Sequence, residues 1–348
     1  PGHVVPGLVK TFRMQQEPNE LFSFLPMSHA AERIIVDMTS LYANASISYS
    51  EGQETVGDEI RSVQPTFFFA VPRLWIKFKE GIDAKIPPAA QAELSAEQKV
   101  GVAQALGLSR ARFILTGSAP CPTDVQDWFL AMGIALRDGY GMTENFVHGI
   151  AWSKDDSPIS GCVGQPMDDS VQVRLSDSGE IQFKSKGLMK GYYLNPEKTA
   201  EVFDDGWYCT GDSGKIDEQG NLWVTGRVSE VFKTSKGKFI VPMKLESLFG
   251  RNPNLAQFCC MGHGMTAPIM LVTLSELGLK RDREELQDEL QSLLDEINSE
   301  VPAYERISHI FVCDEWTIGN ALLTPTMKLK RKQIEEHYKD LVLQHMES

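Results

Sequence analysis

The chain has 348 residues, 42% of them hydrophobic, and a formal net charge of −13. That length exceeds what one core usually organises, so two domains are expected, and the acidic balance argues against wholesale nucleic-acid binding. No apolar run approaches the roughly 20 residues of a bilayer-spanning helix. The six cysteines include no C-x-x-C pair and no zinc-like His/Cys spacing, which points to free thiols in a reducing, cytoplasmic setting.

In chain order, residues 21–26 and 66–71 read as short buried strands, each running into a proline that cannot donate to a ladder. Residues 91–108 mix charged and apolar positions as a helix would. Residues 112–116 make another strand, broken by Gly117, Ser118, Ala119 and Pro120, and 124–132 carry a helical pattern. This alternation predicts an α/β layer with ligand loops at its strand ends. Past residue 160 the texture changes. Val171, Val173 and Leu175 alternate with Gln172 and Arg174, residues 176–179 turn the chain, and 180–184 alternate again, the signature of a β-hairpin. A second turn at 217–221 precedes a strand at 222–225, so 160–226 is read as a β-rich subdomain. In 283–301, Leu286, Leu290, Leu293, Leu294, Ile297 and Val301 share one helical face opposite acids, and Pro302 stops the helix. The expected division is a large α/β domain over 1–228 and a small α+β domain over 229–348.

Several short runs carry potential chemistry. In Asp138-Gly139-Tyr140-Gly141-Met142-Thr143-Glu144, an aromatic ring, a hydroxyl and a carboxylate sit within five residues, between glycines that let the backbone bend. The ring suits a base, Thr143 a phosphate and Glu144 a metal; a structural turn explains the run equally well. Gly117-Ser118-Ala119 after a strand leaves backbone open to a flat ligand, although taken alone a tight strand-to-helix turn is the simpler reading. In Tyr208-Cys209-Thr210-Gly211-Asp212 the aspartate suits a ribose diol, or merely an Asx turn. Arg227 is an always-charged fork for phosphate or ribose, or a surface ion pair. Lys328, in Leu323-Thr324-Pro325-Thr326-Met327-Lys328-Leu329-Lys330-Arg331, is a mobile point charge able to meet negative charge in a transition state, or simply part of a basic loop before a helix.

In this order these pieces resemble the adenylate-forming superfamily of acyl-CoA synthetases, luciferases and peptide-synthetase adenylation domains. The segments SFLPMSHAAER (23–33), FFFAVPRLWIKFKEGI (67–82), FKTSKGKFIVPMKLE (232–246) and LLTPTMKLKR (322–331) look most like long-chain fatty acyl-CoA synthetases. The resemblance covers nearly the whole chain. It implies part of a large adenylation domain, with α/β layers and a β-rich subdomain, followed by a mobile C-terminal domain. The implied chemistry is attack of a fatty acid carboxylate on the α-phosphate of ATP, giving acyl-AMP and pyrophosphate. Transfer to coenzyme A then releases AMP. Passing acyl-AMP to a carrier-protein thiol, and a non-catalytic nucleotide- or acyl-binding module, stand as alternatives.

By resemblance, Tyr140 packs on adenine and Gly117, Ser118, Ala119 and Gly141 line its pocket. Thr143 contacts the adenylate phosphate, Glu144 holds Mg²⁺, and Asp212 and Arg227 bind ribose. Lys328 bridges the carboxylate and the ribose–phosphate region, while His29 and Gly237 lie in the acyl and CoA region. The hinge falls at Ser229, where the family usually has Asp or Lys, and Glu230 follows where Asp is usual. The family's Ser/Thr/Gly-rich phosphate loop does not occur in this sequence, and the chain opens on Pro1. A C-terminal portion of a longer synthetase is therefore expected, impaired by itself and dependent on self-association or the missing segment to cover a sheet edge. A peripheral membrane contact is compatible with fatty substrates.

Overall fold

The computed structural model describes residues 2–15, 18–52, 54–153, 155–324 and 328–347. Its chain divides into two compact units, Pro1–Val224 and Thr225–Ser348, described separately below.

The first unit begins with helix α1 (Val4–Thr11), strand β1 (Glu20–Ser23) and a π-helical stretch, Glu32–Met38, that continues as α2 (Thr39–Ala43). Then follow β2 (Ser46–Tyr49), α3 (Val56–Val63), β3 (Phe67–Ala70), α4 (Pro72–Asp83), α5 (Pro88–Gln91), α6 (Ala96–Ala105), β4 (Phe113–Thr116), α7 (Thr123–Ala131) and β5 (Leu136–Tyr140). β3, β4 and β5 pair in parallel, and the two-residue strands β6 (Ile150–Ala151) and β7 (Gln165–Pro166) extend the sheet antiparallel.

Every residue of β3 and β4 is buried, as expected where helices cover both faces of a parallel sheet. The two-residue period sorts the side chains. Phe67, Phe69, Phe113 and Leu115 face a core with Val5 and Leu8 of α1 and Phe12 just past its end, and Phe67 stacks on Phe113 at 5.5 Å. Phe68, Ile114 and Leu136 face the opposite core, where Trp75 meets Phe68 and Phe129 edge-on at 5.4 and 5.3 Å. The helix expected over 91–108 is shorter than its pattern. α5 ends at Gln91, and α6 starts afresh from a capping box in which Ser95 and Gln98 exchange hydrogen bonds.

The β-rich part is an antiparallel sheet of β8 (Gln172–Leu175), β9 (Glu180–Lys184), β10 (Phe203–Asp204) and β11 (Trp207–Ile216), with β12 (Leu222–Arg227) added on β11. A short helix, α8 (Pro196–Glu201), precedes β10, and Ile150, Val163, Ile181, Phe183 and Leu222 form its core.

The second unit opens with a hairpin of β13 (Phe232–Lys233) and β14 (Phe239–Ile240), then α9 (Pro242–Phe249). Strands β15 (Leu255–Met261), β16 (Ile269–Leu274) and β17 (Ile310–Cys313) form a sheet, with α10 (Arg283–Glu300) between β16 and β17 and α11 (Arg331–Glu347) last. Adjacent cysteines point to opposite faces of β15. Cys260 joins Leu245 of α9 and Leu286, Leu290, Leu294 and Ile297 of α10; Cys259 joins Ile334 and Val342 of α11. The α10 stripe is the one its heptad-like leucines predict.

Candidate functional site

Gly117 follows β4 beside Gly139 of β5, where an added Cβ would come within 3.0 Å of the Gly139 carbonyl oxygen. Glycine therefore lets the two strand ends approach. Ser118 turns the chain at φ 69°, and Ala119 is exposed, so the loop opens at the carboxyl ends of parallel strands, where α/β sheets bind ligands. Tyr140 is the last residue of β5. Its ring lies against Phe183 at 5.7 Å, and its hydroxyl donates to Asp212 Oδ2 at 2.5 Å.

Asp212 reaches that position through a strand bulge, and not through the Asx turn that was the other reading of Thr-Gly-Asp. The pairing of β11 with β9 shifts register between Cys209 and Ser213. Gly211 takes φ 73° and its amide donates to Glu180 Oε1 at 2.7 Å, while the Thr210 hydroxyl accepts the Asp212 amide at 3.0 Å. The extra residue re-aims the buried aspartate toward Tyr140. Two motifs 72 residues apart thus meet at one hydrogen bond.

After Tyr140 the chain folds back tightly. A Cβ on Gly141 would sit 3.1 Å from the Val147 backbone, and Thr143–Asn145 form one 3₁₀ turn whose Thr143 is exposed. Phe146 and Val147 both adopt left-handed φ values, 58° and 55°, a strained choice for a β-branched valine. Glu144 Oε1 accepts the Tyr192 hydroxyl at 3.0 Å, which lies 3.5 Å from the Tyr208 hydroxyl. Burial, and then the Glu144 charge, raise the Tyr192 phenol above its ordinary pKa. Motif reading passed over Tyr192; its signal was an aromatic just ahead of the Asn195-Pro196 helix start.

Among the described residues no group of three or more His, Cys, Asp or Glu side chains could hold a metal. Mg²⁺ commonly binds through one or two carboxylates, with waters and substrate phosphates completing its shell. A lone Glu144 beside an exposed Thr143 fits an ion that arrives with phosphates, and does not fit a dedicated protein cage.

The first unit also holds two buried carboxyls. Asp138, directly before Gly139, accepts the Gly139 amide at 2.8 Å and Gln126 Nε2 at 3.1 Å. Burial outweighs both bonds and raises its pKa to about 7. Glu32, in the π-helical stretch, is likewise pushed up to about 7 by burial, against hydrogen bonds from Ser23 and the Leu25 amide. His29 sits just before that helix, and its Nδ1 accepts the Ala31 amide at 3.2 Å, an end-capping contact.

Arg227, Ser229, Gly237 and Lys328 belong to the second unit. Arg227 ends β12 and is exposed, as is Ser229 in a following 3₁₀ turn. Gly237, at φ 77°, closes the β13–β14 turn by donating to the Thr234 carbonyl at 2.9 Å. Lys238 and Lys236 of that turn, with Arg306 and Tyr304, line a cleft of about 460 Å³. Lys328 is exposed; its amide donates to Thr324 Oγ1 at 3.0 Å, and Leu323 bridges Leu329. Pro325, Thr326 and Met327 of that motif lie outside the described residues.

Three residues on, Arg331 is anchored firmly. Its guanidinium makes a bidentate pair with Glu246 of α9 at 2.6 and 3.0 Å, and Nε lies 3.3 Å from Glu230 Oε2. Burial pulls the Arg331 pKa down, but Glu246 more than reverses this and the charge is locked on.

A parallel-sheet loop, a tyrosine–aspartate pair and a separate α+β unit are the parts of an adenylation domain, and the chain belongs to the AMP-binding enzyme family. Residues 6–193 match the family's model and residues 230–347 match that of the AMP-binding enzyme C-terminal domain. Long chain acyl-CoA synthetase 2 of Arabidopsis thaliana is 27% identical, over 92% of this chain and 57% of its own length. Human long-chain-fatty-acid–CoA ligase 1 is 28% identical, over 92% of this chain and 54% of its own. The chain therefore spans little more than half the length of the curated relatives it matches. Among solved structures, the adenylation domain of a Mycobacterium chelonae carboxylate reductase superposes with TM-score 0.79 at 25% identity, covering 98% of this chain and 57% of that one.

Proposed function

We propose that this chain is the adenylate-holding and C-terminal part of an ATP-dependent fatty acid–CoA ligase. The observation that carries the reading is the Tyr140–Asp212 hydrogen bond beside the Gly117-Ser118-Ala119 loop. It supplies a ring for the adenine and a carboxylate for the ribose diol at one place. Positioning and charge stabilisation are the protein's main contributions to such chemistry. Thr143 would bond the α-phosphate of ATP or AMP. Glu144, oriented by Tyr192, would hold Mg²⁺ on the phosphates and supply charge neutralisation there. Arg227 would support the ribose. Lys328, whose amide is held by Thr324, would place a positive charge on the carboxylate during adenylation.

The 1–228 segment is assigned as the large-domain part and 229–348 as the mobile domain, pivoting at Ser229. For the second half-reaction the cationic cleft of Lys236, Lys238 and Arg306 suits the phosphates of coenzyme A, with Gly237 in the turn above it. His29 is assigned to the acyl and CoA region, where its ring would act mainly by orienting the helix start. The fatty-acid assignment rests on relatives named as long-chain synthetases. A carrier-protein thiol is the second reading for the acceptor, favoured by the likeness to a carboxylate reductase adenylation domain.

The test is fatty-acid-dependent ATP–pyrophosphate exchange by the longest protein that contains this chain, followed by addition of CoA or carrier protein to preformed acyl-AMP. Exchange with CoA-dependent release of AMP is expected. Background exchange, together with undetectable AMP binding by calorimetry, would remove the ligase reading and leave a binding module.

A further inference from the structure

Just past the Glu144 turn lies a buried pair that belongs to none of the motifs. His148 is 1% exposed, and its Nε2 lies 2.8 Å from Oδ2 of the half-buried Asp168. Oδ1 of Asp168 accepts the Ser170 amide at 2.8 Å and the Ser170 hydroxyl at 2.6 Å. Burial works against the Asp168 charge, but Ser170 and His148 outweigh it and hold the carboxyl below its ordinary pKa. A carboxylate only accepts, so Nε2 carries the hydrogen and Nδ1 is left as an acceptor. That Nδ1 is buried and finds no hydrogen-bond partner among the described residues.

Two glycines make room for the pair. A Cβ on Gly7 of α1 would come within 2.6 Å of Asp168 Oδ2, and one on Gly187 within 3.1 Å of the His148 Cβ. An apolar side chain of similar volume would fill the His148 position without an orphaned nitrogen, and such replacements of buried pairs are often neutral or stabilising. Stability alone therefore does not account for a histidine here.

Its place in the chain does. His148 closes the turn that begins at Thr143 and Glu144, its amide donating to the Asn145 carbonyl at 3.0 Å. Between them Phe146 and Val147 are both left-handed, so the turn stands against the preference of its own residues and persists only where its surroundings hold it. The Met189 amide holds one end, donating to the Glu144 carbonyl at 2.6 Å, and the His148 ring holds the other through Asp168.

We propose that His148 is a positioning residue: its bond to Asp168 keeps the strained turn closed and so fixes Thr143 and Glu144 at the phosphate end of a nucleotide. The proposal rests on the nucleotide reading of the Tyr140–Asp212 site and adds a division of labour to it. Tyr140 and Asp212 hold the nucleoside, and the His148–Asp168 pair acts on the phosphate end alone.

The experiment is calorimetry of AMP and of adenosine binding to the whole chain, with Mg²⁺ present. His148→Leu is expected to weaken AMP about tenfold, to leave adenosine within about twofold, and to keep the wild-type urea midpoint. His148→Gln, whose amide can donate to Asp168 from nearly the position of Nε2, is expected to recover most of the lost AMP affinity. In the wild-type NMR spectrum, the imidazole N–H resonance that His148→Gln removes should move with AMP and stay in place with adenosine. That resonance is read on the folded wild type, so it decides even where the leucine variant unfolds. AMP and adenosine weakened equally, a leucine variant as tight for AMP as wild type, or an N–H resonance indifferent to AMP would overturn the proposal and leave the nucleotide site standing. A wild-type chain that binds neither ligand would remove the nucleotide reading and this proposal with it.

Discussion

At the scale of single residues, the candidate site depends on a few side chains whose neighbours were far away in sequence. Asp212 is buried and receives the Tyr140 hydroxyl. Removing a partner from a charge-assisted bond of this kind costs about 1.5–3 kcal/mol. Asp212→Ala is therefore expected to weaken AMP binding by at least about tenfold, as read by calorimetry. Tyr140→Phe, which keeps the ring, should lose less. Asp138 and Glu32 make a different prediction. Burial raises both to about 7, so the folded protein holds these protons more tightly than the unfolded chain does. Their contribution to stability is full below the ordinary carboxylate range and is lost as pH climbs through about 7. Glu32→Gln cannot ionise, so it should gain on wild type by roughly 1–3 kcal/mol between about pH 5 and pH 8 in urea unfolding. A pH-independent difference would show that Glu32 does not titrate in this range. The residue identities at Tyr140, Gly141, Glu144 and Asp212 were legible as motifs. Tyr192 and Glu180 were not, because a hydrogen bond between distant segments leaves no mark on local spacing.

Elements show the same division. The strands at 67–70 and 113–116 were readable because a sheet buried on both faces needs unbroken apolar runs. The α10 stripe was readable because one helical face repeats with a fixed period. The break between α5 and α6 was overlooked, although Ser95 and Gln98 stand at capping-box spacing. Ser95→Ala is expected to cost about 1 kcal/mol, visible as a lower urea midpoint with unchanged slope. Arg331 ties the start of α11 to α9, and its side chain and that of Glu246 are only 14% and 13% exposed. Arg331→Met leaves Glu246 charged and without its guanidinium, so a loss of about 3–5 kcal/mol is expected. Glu230→Gln, at the more open end of the same cluster, should cost under about 1 kcal/mol. Equal losses from the two variants would mean that the Glu246 pair is not the principal tie.

At the scale of the molecule, the connection between the units carries little of its own core. Arg227, Val228 and Ser229 are exposed, while the apolar clusters lie wholly within one unit or the other. Brief subtilisin treatment is expected to cut first within 227–230 and leave two fragments that resist further digestion, resolved by mass spectrometry. Earlier cleavage inside α10 or β11 would argue against two independently stable units.

The sequence by itself determined the family, because its short motifs keep their order along the chain and each needs residue types set by local chemistry: glycine to bend, an aromatic ring, an acid in each of two motifs and a late lysine. It also determined the α/β layering and the long amphipathic helix, because burial on one or both faces imposes a period that is read locally. Tertiary structure alone decided that Thr-Gly-Asp is a bulge aimed at Tyr140, that Tyr192 holds Glu144, and that His148 meets Asp168. Those outcomes depend on which strands pair and in what register, and register joins residues whose separation in the chain carries no signal of their contact.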